Sequence, residues 1–130
     1  MSRSSADQAD AEAESRARHR LTARGGQDLP RLPWLAAGQP HDAVTLVRQA
    51  LWRVGTDRGA LELPEDLLAA ITLLSAARSE LDQLEAGVLF TARAEGLTWA
   101  QIAEALGLRS AQAAQQRHER VLTRLGEDGS

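Results

Sequence analysis

The stretch from Arg109 to Arg120 gathers Arg109, Gln112, Gln115, Gln116, Arg117 and Arg120 behind a serine, Ser110. A glutamine amide donates and accepts through one plane, which matches the edge of an adenine bidentately. An arginine fork matches the edge of a guanine or a phosphate. At helical spacing the glutamines and Arg120 project from one side, while Ala114, His118, Val121 and Leu125 follow the apolar period and face inward. The chemistry expected is hydrogen-bonding recognition of double-stranded DNA. Gln112, Gln115 and Gln116 would read base edges, and Arg109, Arg117 and Arg120 would hold phosphates.

Two short helices and a turn must position these groups. Thr98 followed by Gln101 has the form of a capping box, in which two side chains satisfy backbone N–H groups at a helix start. Ile102 and Leu106 lie four apart on one face, and the small Ala103 suits the closest approach of two helices. Gly107 falls where a left-handed cap is wanted, Leu108 plugs the turn, and Ser110 opens the next helix as its N-cap. Residues 98–125 therefore predict a helix-turn-helix, with a simple structural hairpin as the competing reading.

Residues 97–125 resemble the promoter-reading C-terminal region of sigma factors and the LuxR-type output domains. The likeness rests on Trp99, then Ile102-Ala103-Glu104, then Leu106-Gly107-Leu108. Over residues 64–125 the chain resembles small actinobacterial helix-turn-helix DNA-binding regulators, in which a leucine-rich helix runs into such a motif. The resemblance implies an all-α DNA-binding regulator. The sequence departs from the sigma pattern in a turn one residue longer at Leu108-Arg109-Ser110. Ala114 stands where a core valine is kept there, and His118 where a core leucine is kept.

The rest of the chain reads as support. Residues 1–29 are Ala, Ser, Asp, Glu and Arg with almost no large apolar group, so a disordered tail is expected whose removal leaves thermal stability nearly unchanged. Residues 30–40, punctuated by Pro30, Pro33, Gly38 and Pro40, read as a linker, with Trp34 and Leu35 packing onto the domain. Residues 41–126 form the helical domain. An amphipathic helix over Asp42 to Val54 would bury Val44, Val47, Leu51 and Val54, with Trp52 at the edge of the core. Residues 55–63 form a loop. From Pro64 to about Glu95 one long leucine-rich helix is expected. Leu67, Leu74, Leu81 and Val88 recur at sevens with Leu84 interleaved, a seam suited to a homodimer.

Composition narrows the class. Aromatics are 3% of residues, Ala and Leu dominate, and all-α is the prior. The absence of cysteine excludes disulfides and thiolate metal sites. No apolar run spans a bilayer and the start of the chain has no signal-peptide pattern, so a cytoplasmic, nucleoid-associated protein with no membrane partner is expected. His19, His41 and His118 have no metal-ligand spacing. His19 and His41 read as solvated, as do the acids Glu62, Glu65, Asp66, Glu80, Asp82 and Glu85. Neither a phosphate loop nor a nucleophile elbow is present, so neither enzyme nor cofactor is expected. The net charge of −3 argues against strong nonspecific DNA binding. Between residues 97 and 125, however, four arginines oppose two glutamates, leaving +2 locally. The alternative function is a protein-interaction module whose partner is RNA polymerase or another regulator.

Overall fold

The computed structural model describes residues 3–56 and 62–128. The regular elements among the described residues are all helices: α1 (Arg3–Ala23), α2 (Ala43–Thr56), α3 (Leu63–Thr72), α4 (Leu74–Ala94), α5 (Trp99–Leu106) and α6 (Ala111–Asp128), with a short 3-10 helix at Gly26–Asp28. None of these helices is long and apolar enough to cross a membrane. They form two compact units, Met1–Ala77 and Arg78–Ser130, so the boundary falls within α4. Of the loop read over residues 55–63, residues 57–61 lie outside the described residues; Gly55 and Thr56 still belong to α2, and Leu63 opens α3.

In the first unit, α1, α2 and α3 pack pairwise around a core of Ala17, Leu21, Ala43, Leu46, Ala50, Ala69, Ala70 and Leu73. This corrects the reading of residues 1–29 as a disordered tail. The segment carries little apolar surface, but it places Ala17 and Leu21 one turn apart, and the alanines of α2 and α3 let helix backbones come close. Leu21 is 1% exposed. Charges complete the docking. Arg20 and Arg24 bracket the Asp66 carboxylate at 2.9 and 3.1 Å, Arg24 also pairs with Glu62 at 2.7 Å, and Arg18 donates to the His41 carbonyl. Asp66 and His41, expected to be solvated, are both buried. Residues 4–12 of α1 are exposed all round, so only its C-terminal half is held. The chain leaves α1 through Gly25 at φ +133° and Gly26, where an added Cβ would stand 2.7 Å from the Leu46 side chain. Only a glycine permits so close an approach.

The Asp42 side chain caps α2 by accepting from the Thr45 N–H at 3.2 Å. The helix buries Ala43, Leu46, Gln49 and Ala50 rather than the Val44-Val47-Leu51-Val54 stripe. The difference is about a quarter turn. Leu51 is exposed, Val44, Val47 and Val54 are half-buried, and Trp52 points to solvent instead of edging the core. Small residues at the contact win because the neighbouring faces of α1 and α3 are themselves alanine-rich. Trp34 is likewise exposed, while Leu35 is half-buried. The intervening loop is tied by Arg31, which donates to the carbonyls of Ala36 and Gln39.

The leucine-rich stretch is two helices rather than one. Pro64, Glu65 and Asp66 open the first as expected, and the chain departs from the helix at Leu73. Ile71 and Thr72 are consecutive β-branched residues, and the Thr72 hydroxyl donates back to the Leu68 carbonyl at 2.9 Å, which weakens a helix locally. Burial of Leu73 in the first core fixes the site of the break.

Candidate functional site

The second unit is built from the latter part of α4 with α5 and α6. Its small apolar core joins Leu89 of α4, Ile102 and Ala103 of α5, and Ala114 of α6, bordered by Ala92, Trp99, Leu106 and Leu108. Thr98 and Gln101 form the capping box at the start of α5. Gly107 closes that helix at φ +73°; its N–H bonds back to Glu104 and the Leu108 N–H to Ala103 at 2.8 Å, a Schellman arrangement with Leu108 half-buried beside it. The Ser110 hydroxyl accepts from the Ala113 N–H at 3.1 Å and so caps α6. Ala114 and Val121 are buried at 0 and 1% exposure, with His118 and Leu125 half-buried on the same side.

The outward side of α6 carries Gln112, Gln115, Gln116, Glu119 and Arg120, all exposed, with Arg109 and Ser110 exposed in the turn that leads to it. Their amides and guanidinium groups stand on a helix whose other side is anchored, a geometry suited to hydrogen bonding along a groove.

Arg117 does not belong to that surface. It donates to Glu85 of α4 through two nitrogens, at 2.8 and 3.1 Å, and about two turns further on Arg124 does the same to Asp82 at 3.0 and 3.0 Å. These fork-to-carboxylate pairs clamp α6 onto α4. Arg117 is thus a strut between α6 and α4, and Asp82 and Glu85 are anchors rather than solvated charges. The consequence for the site is electrostatic. With Arg117 and Arg124 neutralised by α4, Arg109 and Arg120 are balanced by Glu104 and Glu119, and the local excess of +2 disappears.

A stack completes the support. The Arg93 guanidinium lies 5.4 Å from the centre of the Trp99 ring, and the His118 ring lies 5.6 Å from it at a 45° tilt. Trp99 thereby touches residues of both α4 and α6. Neither the two clamps nor this stack is legible in the sequence. Acids three apart on one helix and arginines seven apart on another carry no signal that they meet.

Hydrogen bonds from Arg124 hold the Asp82 carboxyl below the ordinary carboxylate range against the opposing effect of burial, and those from Arg117 do the same for Glu85, where the Asp82 charge also opposes. The same pairing raises Arg117. Both carboxyls have folded values below their unfolded ones, so their stabilisation is complete at neutral pH. It is lost as pH falls through about 4 and below. The Asp82 and Glu85 carboxyl carbons, followed by NMR as pH falls, should titrate below the ordinary carboxylate range, and Arg117→Ala should return Glu85 toward it. Ordinary titration of both in the intact chain would show that the clamps do not form.

Comparison with known proteins finds no match: no family model, no curated protein and no solved structure matches the chain.

Proposed function

We propose that α5, the turn and α6 act as a helix-turn-helix, with α6 entering the major groove of double-stranded DNA, and that the protein is a sequence-specific transcriptional regulator working as a homodimer. The observation that carries this reading is the outward side of α6. It is an exposed glutamine-rich surface on a helix capped by Ser110, set off by a left-handed Gly107 turn, and held from behind by a core and two ion-pair clamps. Gln112, Gln115 and Gln116 would read base edges, and Arg109 and Arg120 would hold phosphates. With so few free cations, one protomer binds weakly, and two half-sites are needed for useful affinity.

Crosslinking of the protein to DNA across the genome should recover a recurrent site. Binding to that site at several salt concentrations should give a slope of log affinity against log salt near −2 per protomer, as about 0.9 is expected for each of two phosphate contacts. Recovery of no common sequence, or equal binding to the recovered and random sequences, would sink the proposal.

A second reading, the protein-interaction module, is favoured by one observation. The charge left on the α6 surface is balanced once Arg117 and Arg124 are committed to α4, and α4 itself exposes Leu81, Leu84 and Val88. In that case RNA polymerase or another regulator would be the partner.

A further inference from the structure

We infer that α4 pairs with α4 of a second copy of this chain in antiparallel orientation, Leu81 of one protomer lying against the partner's Leu84. This specifies the dimer proposed above and rests on it. Leu81, Leu84 and Val88 are 58, 65 and 64% exposed, an unbroken line of large aliphatic side chains at the three-and-four spacing of a two-helix seam. The side of α4 that packs within its own unit is a different one, marked by Asp82 and Leu89, with Glu85 at the border between it and the line.

The charges that flank the line choose the occupant's orientation. Arg78 and Glu85 lie along one flank, Glu80 and Gly87 along the other. In a parallel pair opposite flanks meet, which sets Arg78 against the partner's Leu73 and offers it no carboxylate. In an antiparallel pair each flank meets its own copy. Three neighbouring registers then place Arg78 on Arg78, Arg78 on Glu85, or Glu85 on Glu85. The middle register is the one of the three that joins opposite charges. It does so twice, sets Leu81 against Leu84, and leaves Glu80 opposite an uncharged Gly87. Arg78 is exposed and has no ion pair among the described residues. Glu85 accepts two bonds from Arg117 and keeps further lone pairs for a second guanidinium. Apolar burial drives the association, and the charges set direction and register.

The chain has no cysteine, so single cysteines report the geometry cleanly. Sedimentation of the full chain at micromolar concentration should show a dimer; a monomer would overturn both the pairing and the dimer it rests on. Under mild oxidation, a mixture of L81C and L84C should form the mixed disulfide, while V88C should not link to itself. Ready self-linking of V88C would overturn the antiparallel pairing and leave the dimer standing. All three positions are exposed, and unchanged helicity by circular dichroism confirms that the variants fold. Arg78→Glu should raise the dimer dissociation constant severalfold, and an unchanged constant would remove the charge argument. Loss of DNA recognition with these crosslinks intact would overturn the DNA reading alone.

Discussion

Leu21→Ala is expected to destabilise the first helical unit by about 2–5 kcal/mol, the usual cost of truncating a fully buried leucine. Leu21 is 1% exposed, and with Leu46 and Leu73 it is among the largest fully buried side chains; the rest of that core is alanine. Alanines cannot reorganise to fill the void, so the upper part of the range is expected. The position also couples to the ion pairs, because a loosened α1 withdraws Arg20 and Arg24 from the buried Asp66. Amide hydrogen exchange on the full chain resolves the effect: protection in α2 and α3 should fall by orders of magnitude. Removal of residues 1–11, of which 4–11 are exposed, serves as the control and should leave those amides nearly unchanged. If Leu21→Ala leaves protection in α2 and α3 intact, α1 is not part of the core.

The second large effect separates reading from holding on α6. Gln115→Ala or Gln116→Ala at a base-reading position should cost about 1–3 kcal/mol on the cognate site and little on random DNA. Arg120→Ala should weaken both alike and lower the salt slope by about one unit for each phosphate it ceases to hold. Arg117→Ala should behave differently from Arg120→Ala. It breaks the clamp to Glu85, so its effect should appear in the stability of the second unit and leave the salt slope unchanged. Gly107→Val should impair binding to every sequence, because valine resists the left-handed backbone at φ +73°. Titration of cognate and random duplexes with each variant, alongside thermal melting, measures all four. If the folded Gln and Arg120 variants bind as the wild type does, α6 is not the reader, and the protein-interaction reading takes its place.

The sequence by itself determined the features that depend on near neighbours. Helix content followed from alanine and leucine. The Thr98–Gln101 box, the Gly107 turn and the Ser110 cap each arise between residues three or four apart, and so does the division of α6 into a buried Ala114–Val121 side and an exposed glutamine side. Tertiary structure decided what depends on a partner distant in sequence. Residues 1–29 look too polar to order; Ala17 and Leu21 gain their burial, and Arg20 and Arg24 their carboxylate, because Asp66 and the alanine sides of α2 and α3 are brought to them. The same holds for the quarter-turn rotation of α2, whose valine stripe is the more apolar but whose alanines fit the alanines opposite. It holds for the break at Leu73, drawn into a core that periodicity does not reveal. Arg117 and Arg124 show it most directly. Their charge is plain in the sequence, but whether it is free for a phosphate or spent on Glu85 and Asp82 depends on a contact 32 and 42 residues away. Local rules act through the backbone's own short-range hydrogen bonds, whereas packing and ion pairing act through space, and only the folded chain brings those groups together.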